Sequence, residues 1–267
     1  MKASGLPAFA LELGGVAVTI CLTLPAARPL LHDGLPATWD GPTHVLRFTA
    51  FSRDLSEGWL YPRWDATLHA GYGSPVFQFA PPLSYYLAEA FHLLGQDVNG
   101  SLRLAFASTI LLSALSMYVL ARAFAGRSVS LLAGVGYATL PLLLHTVYVR
   151  GSLPEANALW LMPAALAGLS QFAIGRGRWW LAVAIMGTAG VALSSGGLLW
   201  WFLSLSIVWI AGLAIMLEVS TRRRAIDDPP SAAAMPLAVC LGVGVASFFL
   251  LPALLEARKR KRRQHPG

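Results

Sequence analysis

The chain has 267 residues, of which 56% are hydrophobic and only 12% are charged, about half the charged fraction of a typical soluble domain. A mean hydropathy of +0.59 and recurrent long apolar runs exclude a water-soluble core and indicate several membrane spans. The net charge is +7, but without the six consecutive basic residues 258–263 it is +1. Nucleic acid is therefore not an expected partner.

The apolar runs predict an all-α, polytopic transmembrane bundle of about seven helices. The first span covers roughly residues 6–31, and a long polar loop follows at about 32–101. A cleaved signal peptide is the alternative for the first run, but its length and Glu12 favour a retained helix. The later spans are predicted at about residues 102–121, 129–147, 156–174, 179–194, 198–217 and 235–255.

The basic residues of the short connections predict the orientation, because cytoplasmic loops are enriched in Lys and Arg. With a cytoplasmic N-terminus, only Arg150 lies in a short outer connection, and the long first loop is outside the cell membrane. The residues on the inner side are then Lys2, Arg122, Arg127, Arg176, Arg178, Arg222, Arg223 and Arg224.

The last residues conflict with this orientation. Seven spans place the basic stretch outside, although such a stretch favours the cytoplasmic face. Either the last span crosses only partly, or the tail reflects a truncated or frame-shifted gene. We therefore divide the chain into a transmembrane module, residues 1–257, and a basic tail, residues 258–267.

The long loop holds the first candidate site. Pro42 favours a helix that begins near Asp40, and Asp40, His44 and Arg47 then recur at i, i+4 and i+7 on one face. A carboxylate can accept a proton and a guanidinium can neutralise a phosphate. The alternative is that Asp40 only caps the helix while His44 and Arg47 face water.

Two further segments carry candidate charges. Arg63 lies among aromatic residues, where it either meets an anionic headgroup or belongs to an interfacial anchor with Trp59 and Trp64. Arg150 and Glu155 flank a turn in the next outer connection, either as a functional pair or as a local ion pair at a helix start. The loop also predicts an amphipathic helix after Pro81-Pro82 that lies on the membrane.

Several motifs together resemble the GT-C superfamily of membrane glycosyltransferases, which includes protein mannosyltransferases and lipid A aminoarabinose transferases. The acidic Asp40 follows the first span, Pro81-Pro-Leu-Ser-Tyr-Tyr86 opens the loop helix, and Tyr118-Val-Leu-Ala-Arg122 ends the second span. The sequence is also similar to bacterial membrane proteins labelled 6-pyruvoyl-tetrahydropterin synthase-related. The segments Asp40-Gly-x-x-His44 and Arg150-Gly-x-x-x-Glu155 carry that likeness.

The GT-C resemblance implies a transfer of sugar from a polyprenyl-phosphate carrier on the non-cytoplasmic face. Asp40 takes the position of the general base, with His44 beside it as a second catalytic residue. Arg47, Arg63, Arg150 and Glu155 are the candidates for binding substrate and lipid phosphate. No cofactor is firmly implied, no metal ligands are assigned, and a divalent cation is possible.

The chain departs from the GT-C pattern in two ways. It has Asp40-Gly41 where many such proteins carry Asp-Glu, and it is shorter than they are. A non-catalytic scaffold or partner subunit of the same fold, bound to another membrane protein, is therefore the alternative. A small transporter or lipid flippase is the third interpretation.

Overall fold

The structure is a computed structural model that describes residues 5–32, 34–68, 71–224 and 232–264. Within these ranges, the side chains of residues 5–9, 220–224 and 257–264 are not described. The helices are α1 Gly5–Ala27, α2 Gly41–Ser56, α3 Val76–Phe79, α4 Leu83–Leu93, α5 Val98–Ala121, α6 Arg127–Ala138, α7 Pro141–His145, α8 Leu153–Ala173, α9 Trp179–Ser194, α10 Gly196–Arg224, α11 Ala234–Val245 and α12 Ser247–Gln264.

The predicted all-α membrane bundle is confirmed, although the predicted spans 129–147 and 235–255 are each divided into consecutive shorter helices. Among the described residues, four helices are long and apolar enough to cross a membrane, or five if the pair α11 and α12 is one span bent by 64°, which is fewer than the seven predicted spans. They begin and end at Ala10–Leu31, Val98–Ala121, Arg127–Arg150 and Gly196–Val219. The orientation in the membrane stays a prediction.

The helices α8 and α9 are the two predicted spans outside that group, for different reasons. α9 has 16 residues, about 24 Å, which is shorter than the roughly 30 Å hydrocarbon core. α8 has 21 residues and is buried among α5, α9 and α10. Asn157 and Gln171 lower the hydropathy of α8, and both side chains are buried. We therefore interpret α8 as a central helix of the bundle and not as one that faces lipid.

Glycines allow α8 and α9 to pack closely. A Cβ on Gly168 of α8 would lie 2.5 Å from the backbone nitrogen of Ala184, and a Cβ on Gly187 of α9 would lie 2.8 Å from the Cβ of Ala165. Small residues at such contacts let backbones approach, which is how helices associate in a membrane where burial of apolar surface adds little. The pair therefore forms a rigid wall of the bundle.

An ion-pair cluster joins α1 to the C-terminal end of α5 and the N-terminal end of α6. Glu12 accepts hydrogen bonds from Arg122 at 2.7 Å and from Arg127 at 3.2 Å, and its other oxygen accepts one from Tyr118 at 3.1 Å. A carboxylate inside an apolar span is costly unless it is paired. We call the end of the bundle that holds this cluster the basic end, and the end that holds residues 32–101 the loop end.

The loop after α1 folds into short helices that cover the loop end. The predicted start of α2 near Asp40 and the predicted helix after Pro82 are both confirmed. α4 buries its polar face, including Ser84, Tyr85 and Glu89, against the protein. Its apolar residues Leu83, Tyr86, Leu87 and Phe91 are partly buried and pack against the core as well, and the position of α4 on the membrane stays a prediction.

The basic tail falls mostly outside the described part of the chain. The backbone of α12 continues to Gln264, but the side chains from residue 257 onward are not described, and residues 265–267 are not described at all. The division at residue 257 and the side of the tail stay predictions.

Candidate functional site

The start of α2 is bound to the connection between α7 and α8. The backbone nitrogen of Asp40 donates to the carbonyl of Arg150 at 2.8 Å, and that of Trp39 donates to the carbonyl of Val149 at 3.3 Å. Residues Thr146–Arg150 form a π-helical turn, an uncommon geometry that is frequent at functional sites. Two segments more than 100 residues apart in sequence therefore meet at the loop end.

The side chains at this junction form a chain of charges. Arg150 Nε lies 3.6 Å from Asp40 Oδ2, and Arg150 Nη1 donates to Glu155 Oε2 at 2.8 Å. Asp40 occupies the N-cap position but makes no capping hydrogen bond through its side chain, and 44% of that side chain is exposed. The predicted local pair of Arg150 and Glu155 is present, and it also reaches Asp40.

Gly151 allows the two segments to approach so closely. Its φ of +71° lies in the left-handed region, which favours glycine, and a Cβ there would lie 2.5 Å from the Cβ of Thr38. Thr38 directly precedes Trp39 and Asp40. The glycine therefore sets the distance between Arg150 and Asp40.

His44 and Arg47 meet Tyr85 on the neighbouring helix α4. The Nδ1 atom of His44 lies 3.1 Å from the Tyr85 hydroxyl, and the positive charge of Arg47 lies close enough to favour the ionised form of Tyr85. Burial raises the pKa of Tyr85 to about 12, so its hydroxyl stays protonated. The predicted common face of His44 and Arg47 is thus real, and it faces the protein interior rather than water.

His44 is a neutral imidazole at physiological pH. Its side chain is almost fully buried, and this burial, with the nearby positive charge of Arg47, lowers its pKa from 6.5 to about 4. A neutral, buried imidazole supplies no positive charge to a phosphate. It can orient Tyr85 and, through it, Arg47.

We expect His44 to make the folded protein sensitive to acid. The unfolded chain binds a proton near pH 6.5 and the folded chain near pH 4, so stability is complete above pH 6.5 and is lost as the pH falls to 4. The shift corresponds to about 3 kcal/mol. Asn keeps a polar atom near the Nδ1 position and does not titrate, so His44→Asn should lack this component.

The measurement is the unfolding midpoint of the purified protein between pH 4 and pH 8, for the wild type and His44→Asn. The difference in unfolding midpoint between the wild type and His44→Asn should change only below pH 6.5. Curves that stay parallel down to pH 4 would show that His44 is not held neutral by the fold.

A polar cavity of about 520 Å³ opens beside this cluster. Arg47 and Tyr85 form its polar side, while Phe79 of α3, Pro81 just before α4 and Pro154 of α8 close it. We call it the Arg47 cavity. It offers a guanidinium and a protonated phenol to a ligand that enters from the loop end.

An apolar groove of about 780 Å³ runs between α4, α8, α9 and α11. Leu83, Tyr86, Trp160, Met186 and Val245 are among its lining residues. Along α9 it extends from Trp179 to Leu193, roughly 21 Å at the helical rise. The groove and the Arg47 cavity have the helices α4 and α8 in common. Tyr85 of α4 and Pro154 of α8 line the cavity, whereas Tyr86 of α4 and Asn157 of α8 line the groove.

The structure brings five of the six predicted site residues to one region and leaves Arg63 elsewhere. Asp40, Arg150 and Glu155 are linked directly, and His44 and Arg47 follow on the first turns of α2. Arg63 lies near the C-terminal end of α2, over the ring of Tyr61 at 5.3 Å. It does not contribute to the Asp40 region.

Sequence reasoning missed Tyr85 and Asn157 as site residues. Both are buried, and Asn157 donates a hydrogen bond to Ser84 at 3.2 Å and accepts one from Trp160 at 2.6 Å. The Pro81-Pro-Leu-Ser-Tyr-Tyr86 motif contained the signal for Tyr85, because Tyr85 lies among the polar residues of α4 and not on its apolar face. Within the described ranges, no group of three His, Cys, Asp or Glu side chains is arranged to hold a metal ion.

Residues 77–260 match the protein family described as "6-pyruvoyl-tetrahydropterin synthase related domain; membrane protein". The chain belongs to this family of membrane proteins. Arg150 and Glu155 lie inside the matched region, whereas Asp40, His44 and Arg47 precede it. No curated protein matches the chain.

Proposed function

We propose that this family member is a GT-C-type glycosyltransferase that takes a sugar from a polyprenyl-phosphate carrier at the loop end of the bundle. One observation carries the proposal. The Arg47 cavity is lined by Arg47, seven residues along α2 from Asp40, and the helices α4 and α8 that line it also line an apolar groove. A lipid-linked sugar phosphate needs these three features together: a base, cations and a place for a long apolar chain.

Asp40 is the proposed general base. Its carboxylate is accessible and is not used for capping, and Arg150 holds its orientation from 3.6 Å. In the reaction, an acceptor hydroxyl attacks the anomeric carbon of the sugar, and the bond from that carbon to the phosphate oxygen breaks. Asp40 takes the proton of the hydroxyl, and the carrier leaves as polyprenyl phosphate.

Arg47 and Arg150 are the proposed groups that stabilise the leaving phosphate. A guanidinium at a site of developing negative charge lowers the barrier without further rearrangement. His44 is buried and neutral, so the proposal gives it the task of positioning Tyr85 and Arg47. Glu155 fixes Arg150 from the other side.

The apolar groove is the proposed place of the isoprenoid chain. Its walls are aliphatic and aromatic, and its length along α9 lets several isoprene units lie within it. Within a bilayer the chain gains little from burial as such, so its binding relies on close van der Waals contacts with the groove walls. The groove thus holds the carrier while its phosphate reaches the Arg47 cavity.

Mass spectrometry of lipids that copurify with the protein in mild detergent tests the proposal without knowledge of the sugar. The wild type should retain polyprenyl phosphate, free or sugar-linked, and Arg47→Gln should retain at least about tenfold less, since a lost charged hydrogen bond weakens binding by 1.5–3 kcal/mol. Arg176→Gln, an equal change at an exposed position of the basic end, should match the wild type.

Two outcomes would count against the proposal. Bulk phospholipid alone in all three preparations would favour the scaffold interpretation, and the search would turn to a partner membrane protein. Equal polyprenyl phosphate in Arg47→Gln and the wild type would remove the Arg47 cavity from carrier binding.

A further inference from the structure

A second pocket lies at the other end of α2, away from the Asp40 region. It has a volume of about 650 Å³ and is lined by Arg53, Asp54, Trp59, Arg63 and Trp64 among others. We call it the aromatic pocket. Asp54 is fourteen residues from Asp40 on the same helix, roughly 21 Å at the helical rise, so the two places are separate.

Two indole rings give this pocket open aromatic faces. Trp59 is 66% exposed and Trp64 is 57% exposed, unusual values for such large apolar groups outside a membrane span. One side of the Trp64 ring is held against Gly73, where an added Cβ would lie 2.5 Å from the ring. The antiparallel bridge between Asp65 and Ser74 fixes this turn, which leaves the other side of the ring open.

The positive and negative charges that line the pocket are equal in number, and Arg53 already forms ion pairs with its neighbours. Arg53 donates to Asp54 Oδ1 at 2.9 Å and to Asp65 Oδ2 at 2.7 Å, and it lies 3.6 Å from Glu57. Arg63 covers the ring of Tyr61. The two guanidinium groups and the carboxylates of Asp54 and Glu57 cancel, so the lining has donors and acceptors but little net charge.

One acceptor atom is left over. Asp54 is 6% exposed, and its Oδ2 atom is buried without a hydrogen-bond partner in the described part of the chain. A buried carboxylate oxygen without a partner is costly, and most such atoms in native proteins are satisfied. Because Asp54 is one of the residues that line the pocket, a small rotation of its side chain would bring this oxygen to a hydrogen-bond donor in the pocket.

We propose that the aromatic pocket binds a neutral saccharide. The weakly positive C–H face of a pyranose ring packs against the electron-rich face of an indole, and its hydroxyls both donate and accept hydrogen bonds. A phosphate is disfavoured because the carboxylates cancel the two guanidinium charges. The site does not depend on the proposed transfer reaction.

The test uses the full chain in phosphatidylcholine nanodiscs, since glycosidic detergents would themselves compete. A fluorescently labelled preparation is applied to an array of neutral and charged oligosaccharides, and the best neutral ligand is then titrated. Trp59→Ala should weaken its binding about tenfold, whereas Trp59→Phe, which keeps an aromatic face, should stay within about threefold of the wild type. Asp54→Asn should also weaken binding, because one of the two carboxylate acceptors is replaced by an amide donor.

Tyr72→Ala is the matched control, because Tyr72 is 88% exposed and does not line the pocket. It should bind as the wild type does, and so should Asp40→Asn, which separates this inference from the proposed transferase activity. Three results would overturn the inference: no neutral oligosaccharide binds, only anionic ligands bind, or Trp59→Ala binds as tightly as the wild type.

Discussion

Replacing Asp40 by Asn should lower the rate of sugar transfer by about 10²–10⁴-fold, the usual contribution of a general base. The change removes the proton acceptor but keeps the shape of the side chain, so the affinity for the lipid-linked donor should stay within a few fold. The measurement is single-turnover transfer from the donor identified by lipid mass spectrometry. Donor should accumulate unconsumed on the variant.

Asp97→Asn is the matched control for this prediction. Asp97 is exposed and caps α5 by accepting a hydrogen bond from the Gly100 nitrogen at 2.8 Å, and Asn caps about as well as Asp. The same chemical change there should leave transfer intact. If Asp40→Asn turns over like Asp97→Asn, another group is the base and the proposed mechanism fails.

Replacing Gly168 by Ala should destabilise the bundle by about 2 kcal/mol, within the 1–3 kcal/mol typical of overpacking. The new Cβ would meet the Ala184 nitrogen at 2.5 Å and the Trp180 carbonyl oxygen at 2.7 Å. Both are backbone atoms, so no rotamer change relieves the contact and α8 must move away from α9. That movement would also widen the apolar groove, which both helices line.

Gly212→Ala is the comparison for this stability prediction. Gly212 lies in α10 with nothing within 4 Å of the added Cβ. The Gly212→Ala variant should therefore show only the increase in stability, up to about 1 kcal/mol, that is expected for Gly to Ala in a helix. Unfolding in mixed micelles with increasing dodecyl sulfate measures both. Equal effects for the two variants would mean that the close contact of α8 and α9 does not contribute to stability.

The two proposed sites give α2 a distinct role at each end. Its N-terminal end holds Asp40, the proposed base, and its C-terminal end holds the aromatic pocket roughly 21 Å away. A single sugar does not span that distance, whereas an extended acceptor glycan does. If both proposals hold, α2 sets the spacing between the reacting sugar and a distant part of the acceptor.

The sequence by itself determined the helical spans and where the loop helices begin. Hydropathy is a property of local composition, because a bilayer requires about 20 apolar residues in a row and satisfies the backbone only within a helix. Pro42 and Pro82 marked the starts of α2 and α4 because proline fits the first turn of a helix. The resemblance also pointed to Asp40, and the structure leaves that side chain accessible.

Only the tertiary structure decided which charges meet. Arg150 reaches Asp40 across 110 residues, because the turn at Gly151 packs against Thr38, whereas Arg63 lies far from Asp40 although it is much closer in sequence. Local periodicity shows which residues share a helix face but not what that face contacts. For the same reason, the burial of His44 against Tyr85 and the groove between α8 and α9 depend on how distant helices pack.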